Sequence, residues 1–298
     1  MASSDKLAEV TSPSTFSIRH FMKTLQGKRV LITGAASGIG KATAFALKKA
    51  GARLFLADIN ADGLQALLSE LNVPSDQATS QVCDVRKLDQ LESLVREVSE
   101  RFGGLDVLIN NAGVVHYGPT EVMAAADMDR LIQINLVAPM HLTRLCLPLL
   151  LEQPEASIVN VASMYGLFAT RKAAAYHATK FGLVGFSESL RAEYGRLGLG
   201  ITTVCPGFVT TDLFKSGTTS QQDKDVPVPP AYLSTTPEKI AAKIVSAIYW
   251  QKRLVLATPL AYAMYYFKRF FPGLLDAFQH LGRSRAIKKR AEARKQSK

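Results

Sequence analysis

The chain has 298 residues, of which 47% are hydrophobic, and carries a net charge of +11. This length suits one large domain or two small ones with a substantial core. Because the chain has no apolar run of about eighteen residues and no charged-then-apolar start, we predict neither an ordinary membrane-spanning helix nor a secretory signal.

The three cysteines, Cys83, Cys146 and Cys205, are far apart in the sequence and form no metal-ligand pattern. Sparse, unpaired cysteines are typical of reduced thiols, which favours a cytoplasmic protein. No metal site is therefore predicted.

Residues 1–27 precede the first predicted strand and form the predicted N-terminal extension. Four apolar residues fall at helical spacing and predict a short helix with one apolar side. They are Ile18, Phe21, Met22 and Leu25. Packing of this helix on the rest of the protein is the favoured interpretation, and contact with a membrane or a partner is the alternative.

A glycine-rich segment, residues 34–40, follows a predicted buried strand over Arg29–Thr33 and opens a predicted helix over Lys41–Ala50. Glycines permit a tight turn between strand and helix and let a pyrophosphate approach the backbone, where the helix N-terminus stabilises its charge. We therefore predict a dinucleotide site in this turn. Its predicted residues are Gly34, Ser37, Gly38, Ile39 and Gly40.

Asp58 ends the second predicted strand, Arg53–Ala57. A carboxylate at this point can accept hydrogen bonds from the adenosine ribose and repels the 2′-phosphate of NADP. The neighbouring residues Ala35, Ala36 and Ile59 supply no cation to offset that repulsion. The pattern favours NAD, with Asp58 and Ile59 beside the ribose, and the alternative is that Asp58 only caps the next segment.

The next elements continue the alternation of strands and helices. A third strand is predicted over Ala78–Cys83, an amphipathic helix over Lys87–Phe102 and a fourth strand over Leu105–Ile109. The segment Asn110-Asn111-Ala112-Gly113 follows, and as bare residues it is also compatible with a simple turn. A long helix is predicted over Met128–Leu151.

A serine and a tyrosine–lysine pair are the candidate catalytic groups. Ser163 ends a predicted buried strand, Ile158–Ala162, at the edge where open α/β sheets bind ligands. Tyr176 and Lys180 lie four residues apart, so on a helix their side chains share a face. A neighbouring ammonium lowers the pKa of a phenol from about 10 and suits it to proton exchange with an alcohol or carbonyl oxygen. The alternatives are a turn serine and a solvated helix face.

The rest of the chain predicts a further strand over Gly200–Cys205, a helix from Thr236 to about Gln251 and a seventh strand over Leu254–Ala257. Between them, residues 212–236 are polar, contain proline and have no clear period. A segment of this length in a compact domain is typical of a lid or of disorder, and its position favours a lid over the substrate.

These motifs resemble the short-chain dehydrogenase/reductase family, which are Rossmann-fold, NAD(P)-dependent oxidoreductases, over about Gly27–Ala257. The resemblance rests on TGAASGIG, NNAG, the asparagine in Ile134-Asn-Leu136, Ser163 with Tyr176-x-x-x-Lys180, and Pro-Gly-x-Val-x-Thr, in that order. It implies a catalytic set in which Ser163 holds the substrate oxygen and Tyr176 exchanges its proton. Lys180 would lower the tyrosine pKa and bind the nicotinamide ribose. Asn135 would help to hold a water beside that lysine through its backbone.

The resemblance also implies further cofactor residues. Asp84 and Val85 would contact the adenine, the NNAG segment would steady the sheet and line the cofactor site, and residues 206–211 would close over the nicotinamide. The implied set is Asp84, Val85, Asn111, Ala112, Gly113, Tyr176, Lys180, Pro206, Gly207, Val209 and Thr211.

The predicted fold class is α/β: a single doubly wound Rossmann domain with a seven-stranded parallel sheet flanked by helices, and with N-terminal and C-terminal helical extensions. The predicted divisions are 1–27, 28–258 and 259–298. The expected activity is NAD-dependent hydride transfer between nicotinamide and a secondary alcohol or ketone. Alternatives are an NADP(H)-dependent carbonyl reductase and a non-catalytic scaffold. The family resemblance implies a homodimer or homotetramer.

The C-terminal extension combines an aromatic-rich segment, Leu260–Phe271, with a basic tail over 283–298 that holds eight basic residues and one acidic residue. Its apolar character favours a small hydrophobic substrate such as a steroid, a retinoid or a long-chain alcohol. The segment is too short to span a bilayer, so peripheral membrane contact is predicted, with a lid or an oligomer interface as the alternative. Because the tail has no interleaved aromatics, nucleic-acid binding is not expected.

Overall fold

A seven-stranded parallel sheet organises the protein in the computed structural model, which describes residues 22–211, 213, 217–219, 226, 230–274 and 277. The strands are β1 (Arg29–Thr33), β2 (Arg53–Asp58), β3 (Ala78–Val82), β4 (Val107–Asn110), β5 (Ala156–Val161), β6 (Leu199–Cys205) and β7 (Leu254–Leu256). Their spatial order is β7-β6-β5-β4-β1-β2-β3. The order reverses between β1 and β4, and ligands of doubly wound sheets bind at this switch point. The predicted seven-stranded Rossmann fold is confirmed.

Helices cover both faces of the sheet. They are α1 (Gly38–Lys49), α2 (Ala61–Leu71), α3 (Leu88–Phe102), α4 (Ala125–Ile132), α5 (Ala138–Leu151), α6 (Ala174–Tyr194), α7 (Pro237–Trp250) and α8 (Pro259–Phe270). One core layer packs α1, α2 and α7 against the sheet, and the other packs α3, α5 and α6. The central strands are buried and mainly apolar because both of their faces are covered.

The helix predicted over Met128–Leu151 is two α-helices, α4 and α5, joined by a π-helical turn over Gln133–Val137. The continuous helical stretch Ala125–Leu151 is, within the described part of the chain, long and apolar enough to cross a membrane by length and composition. Its apolar residues in α5 pack against α3 and the sheet. These contacts make it a helix of the core.

Residues 22–28, the described part of the segment before β1, contribute to the core and do not form a helix. Met22 and Leu25 are buried against α1 and α7, and the Met22 amide donates to the carbonyl of Tyr249 at 3.2 Å. Residues 22–25 are irregular. The rest of the helix predicted from Ile18 lies outside the described residues.

The predicted lid segment, 212–236, is described only in part. Thr218–Thr219 pairs in parallel with His116–Tyr117, and Ser234–Thr235 pairs in parallel with Phe208–Val209. Both small ladders attach the segment to chain that follows β4 or β6, at the carboxyl edge of the sheet. The described parts of the segment therefore lie at the edge where the site forms.

Candidate active site

The glycine turn between β1 and α1 has the backbone shape that a pyrophosphate requires. Gly34 and Gly38 have φ angles of +64° and +51°, which residues with a Cβ rarely adopt. A Cβ on Gly40 would collide with the carbonyl of Gly34. The Ser37 side chain does not cap α1, and the first turn of the helix has no acidic residue. The turn and the helix N-terminus therefore fit a dinucleotide phosphate.

The NNAG segment fastens this turn to the sheet. The Asn111 side-chain amide donates to the carbonyls of Thr33 and Gly34 at 3.0 and 2.9 Å. In return, the Thr33 hydroxyl accepts from the backbone amides of Asn111 and Ala112 at 3.1 and 3.2 Å. The segment is thus a structural brace for the glycine turn as well as part of the cleft wall.

Asp58 and Ile59 line the end of the cleft where the sequence predicts the adenosine ribose. The two carboxylate oxygens of Asp58 accept from the backbone amides of Ala36 and Asn60, at 3.0 and 2.9 Å. These bonds fix the carboxylate beside the glycine turn. Ile59 is 63% exposed and supplies no charge.

Arg86 is a further cation that lines the cleft, and the sequence pattern at positions 35, 36 and 59 does not predict it. Its guanidinium contacts both oxygens of Asp84, with Nη2 2.6 Å from Oδ2 and Nε 2.9 Å from Oδ1. This hydrogen bonding to Arg86 lowers the pKa of Asp84. Both residues line the cleft, and the positive charge of Arg86 is paired with Asp84.

Ser163, Tyr176 and Lys180 come together where β5 and α6 meet. The Ser163 hydroxyl lies beside the phenol of Tyr176 and interacts with it. Lys180 Nζ donates to the Val161 carbonyl at 3.1 Å and lies 5.7 Å from the centroid of the Tyr176 ring. Tyr176 and Lys180 are both buried. The serine and the tyrosine can therefore reach one substrate oxygen.

Burial controls the protonation of this pair. It raises the pKa of Tyr176 to about 12, although the interaction with the Ser163 hydroxyl acts in the opposite direction, and it lowers the pKa of Lys180 to about 8. The expected lowering of the tyrosine pKa by Lys180 is not found in this structure. The reason is physical: burial disfavours the ammonium as well as the phenolate, and the Lys180 hydrogen bond goes to Val161.

Asn135 lies in the π-helical turn and is buried. Its side chain pairs with the backbone of Val114, accepting from the amide and donating to the carbonyl, both at 2.8 Å, and it donates to Thr179 Oγ1 at 3.3 Å. In a regular α-helix the Asn135 carbonyl would accept from residue 139, but Pro139 has no N–H. The π turn and Pro139 thus alter the hydrogen bonding expected at the Asn135 carbonyl.

The segment after β6 closes the other end of the cleft. Thr211 approaches the glycine turn so closely that a Cβ on Gly38 would lie 3.1 Å from its methyl group. Tyr165 packs edge-on against Tyr176, with ring centroids 6.3 Å apart, and against Phe208 at 6.2 Å. These rings form an apolar wall beside the candidate catalytic groups.

A single cleft of about 590 Å³ contains most of the predicted site. It is lined by Gly34, Ser37, Gly38, Ile39, Asp58, Ile59, Asp84, Val85, Asn111, Ala112, Gly113, Ser163, Tyr176, Lys180, Pro206, Gly207, Val209 and Thr211. Gly40 and Asn135 lie behind its wall and support it. Among the described residues, no group of three or more His, Cys, Asp or Glu side chains is placed to hold a metal ion.

The family model for short chain dehydrogenase matches residues 28–222. The chain belongs to the short-chain dehydrogenase/reductase family. As a member, it is an oxidoreductase.

Individual members of the short-chain dehydrogenase/reductase family support the same assignment. A putative ketoacyl reductase of Streptomyces coelicolor is 39% identical over 197 residues, which cover 65% of this chain and 76% of that protein. A Burkholderia phymatum short-chain dehydrogenase/reductase, solved in complex with NAD, has a TM-score of 0.76 at 26% identity and covers 85% of this chain and 97% of that one. An actinorhodin polyketide ketoreductase variant with NADPH has a TM-score of 0.70 at 31% identity, covering 77% and 95%.

Several cleft residues of this short-chain dehydrogenase/reductase were not predicted from its sequence. Besides Arg86, they include Arg130, Tyr165, Phe208 and Leu213. Arg130 lies five residues before Asn135, so helical spacing does not predict that the two residues share a face or that Arg130 lines the cleft. Tyr165 was detectable in principle because it lies two residues after Ser163, in the turn that leaves the sheet edge.

Proposed function

We propose that this oxidoreductase uses NAD to move a hydride between C4 of the nicotinamide and the carbon of a hydrophobic secondary alcohol or ketone. One observation carries the proposal: a single cleft joins Asp58 and the glycine turn at one end to Ser163, Tyr176 and Lys180 at the other. When bound, NAD supplies the hydride acceptor. The chain supplies position, charge and a proton route.

In this proposal the residues of the protein have separate tasks. Ser163 holds the substrate oxygen, and Tyr176 takes its proton during oxidation or returns it during reduction. Lys180 binds the nicotinamide ribose. Asn135 keeps the Val114 backbone in place and contributes to the proton route through its own backbone.

The glycine turn, with Ser37, Ile39 and Asn111 beside it, would hold the pyrophosphate, and Asp58 would bind the adenosine ribose. Support for NAD comes from the fixed Asp58 carboxylate, from the apolar Ile59 and from the pairing of Arg86 with Asp84. Asp84, Val85, Ala112 and Gly113 would complete the adenosine side. Pro206, Gly207, Val209 and Thr211 would complete the nicotinamide side.

A hydrophobic substrate is supported by the apolar wall next to Ser163. Tyr165 and Phe208 pack edge-on, and Val115 and Leu213 complete that wall. Steroids, retinoids and long-chain alcohols have suitable chemistry. The main rival is an NADP(H)-dependent carbonyl reductase, which the ketoacyl reductase relative and the neighbour solved with NADPH favour. A non-catalytic scaffold is disfavoured by the intact Ser163, Tyr176 and Lys180.

The test is a panel of secondary alcohols of increasing chain length, and the matching ketones, assayed with both cofactors by the absorbance of reduced nicotinamide. We expect turnover with NAD that improves with the apolar size of the substrate. Turnover only of ketones with NADPH would establish the rival. Absence of binding of either cofactor in calorimetry would establish the scaffold.

We further propose that α8 contacts a membrane surface. Its outer face exposes aromatic and apolar side chains, and Tyr266 and Phe270 stack with ring centroids 6.3 Å apart. The exposed residues are Tyr262, Tyr266 and Phe270 in α8, followed by Phe271 and Leu274 just after it. Tyrosine suits the headgroup zone, and basic residues near an anionic surface contribute about 1 kcal/mol each. The basic tail lies outside the described residues, as do the predicted apolar contacts from Phe278 and Leu281.

The inner face of α8 weakens the lid alternative for this segment. Ala261, Met264 and Tyr265 pack against the core, and the described α8 residues are not among those lining the cleft. An oligomer interface stays an alternative. The homodimer or homotetramer, the cytoplasmic location and the divisions at 27 and 258 also stay predictions.

Vesicle co-sedimentation of the full chain tests the membrane proposal. We expect sedimentation with vesicles that contain anionic lipid at low salt, and its loss when Tyr266, Phe270 and Phe271 are changed to Ser. A Tyr232→Ser variant removes an exposed aromatic elsewhere and serves as the control, because Tyr232 is 84% exposed. Equal recovery of wild type and triple variant in the supernatant would reject membrane contact.

A further inference from the structure

The turn that follows Ser163 determines where the candidate substrate-binding groups lie. A short 3-10 turn spans Met164–Gly166, and the Tyr165 amide donates to Ser163 Oγ at 3.1 Å. The Tyr165 ring lines the cleft beside Tyr176. A displacement of this turn would therefore move both the Ser163 hydroxyl and the apolar wall.

Helix α6 holds the turn from one side. A Cβ on Gly166 would lie 2.6 Å from the Lys180 carbonyl, so the turn and the helix backbone are in close contact. His177 Nε2 accepts from the Thr170 amide at 3.0 Å, which leaves Nδ1 to donate to the Tyr165 carbonyl at 2.9 Å. Burial lowers the pKa of His177, consistent with this neutral form.

Helix α8 holds the same turn from the other side. Lys268 Nζ donates to the Leu167 carbonyl at 3.0 Å and lies 4.7 Å from the centroid of the Phe181 ring on α6. Met264 and Tyr265 of α8 also pack with Met164 and Phe168 in one apolar cluster. One ammonium group thus joins α8, the end of the turn and α6.

We propose that Lys268 is a positioning residue, through which α8 keeps Ser163 and Tyr165 in place for hydride transfer. This inference rests on the proposed roles of Ser163 and of the apolar wall. Charge-assisted hydrogen bonds are stronger than neutral ones, so the Leu167 carbonyl is held firmly. Helix α8 lies beyond the matched family region, 28–222. Through Lys268 it would nevertheless help to position the active-site residues.

A role in stability alone predicts a different pattern. Taking a lysine ammonium partly out of water costs free energy. Apolar packing, which α8 already has, would attach the helix to the core without that cost. A purely stabilising role would lower the melting temperature of a Lys268 variant but leave the kcat and the NAD affinity of the folded protein unchanged. A positioning role acts on the rate and on the mobility of the turn, and an arginine, which keeps the charged donor, should rescue it.

The test compares Lys268→Ala and Lys268→Arg with Arg269→Ala, which removes the next cation of the same helix. Arg269 is exposed, so its loss controls for net charge and for any change in membrane contact. We expect Lys268→Ala to lower kcat about tenfold at saturating NAD and alcohol with unchanged NAD affinity. Lys268→Arg should recover most of that loss, and Arg269→Ala should match wild type.

A second measurement tests the turn without requiring turnover. Amide hydrogen exchange of residues 163–168 should be at least about tenfold faster in Lys268→Ala than in Arg269→Ala, at a temperature where thermal unfolding shows both to be folded. If the wild type has no dehydrogenase activity, the proposed function fails while this measurement still decides the role of Lys268. Equal exchange, or parallel loss of NAD affinity and kcat, would overturn the proposal.

Discussion

Tyr176→Phe should lower kcat for alcohol oxidation by roughly 10²–10⁴-fold, the range for loss of a general acid–base group. The phenol is the proposed proton acceptor, and the Ser163 hydroxyl lies beside it. Phenylalanine keeps the buried ring and its edge contact with Tyr165, so the fold and the cofactor end of the cleft should be unchanged. Steady-state kinetics would measure kcat, and calorimetric titration would measure the affinity for NAD.

Tyr194→Phe is the matched control for this prediction. Tyr194 ends the same helix, packs against the core layer of α3, α5 and α6 rather than in the cluster around Tyr176, and is not among the described residues that line the cleft. We expect wild-type kinetics from it. If Tyr176→Phe retained more than about a tenth of the wild-type rate, the assigned role would be wrong. If it lost NAD affinity in proportion to the rate, the substitution would have damaged the site as a whole.

The parts of the site that the sequence predicted depend on short-range geometry. The turn from Gly34 to Gly40 requires glycines wherever strand, turn and helix meet in this way, so its conformation follows from local residues. Tyr176 and Lys180 share a helix face because they are four residues apart. Strand positions followed from apolar runs, and the predicted bounds differ from the observed ones by at most two residues, as for β4 at Val107–Asn110.

The parts of the site that the sequence did not predict depend on contacts between distant segments, or on the effect of burial on the pKa of a side chain. Lys268 and Leu167 are 101 residues apart, and no local pattern pairs them. The pKa of Tyr176 is raised by burial, which depends on every element packed around it. The π turn at Asn135 was not predicted for the same reason. The Asn135 side chain is held by the backbone of Val114, which belongs to another segment of the chain.

A double substitution at Asp58 and Ile59 should change which cofactor the protein prefers. The double variant Asp58→Ala with Ile59→Arg should shift the ratio of NADP to NAD affinity towards NADP by roughly 10- to 100-fold, the effect expected from a charge-assisted pair with the 2′-phosphate. Asp58 lies on the cleft wall, and the neighbouring Ile59 is exposed there, so an arginine can extend into the cleft without displacing packed residues. Titration of each cofactor by calorimetry measures the shift.

Asp62→Ala is the control, because it removes a carboxylate from the first turn of α2 that is not among the cleft-lining residues described. It should leave the ratio unchanged. The double variant also removes the acceptor for the Ala36 and Asn60 amides, so thermal unfolding must show that the glycine turn is still folded. Since Asp58 is proposed to repel the 2′-phosphate, a wild-type protein that binds NADP more tightly than NAD would refute that role. Arg86 would then be the cation to test, because it is the charged group at the adenosine end whose release from Asp84 could accommodate a phosphate.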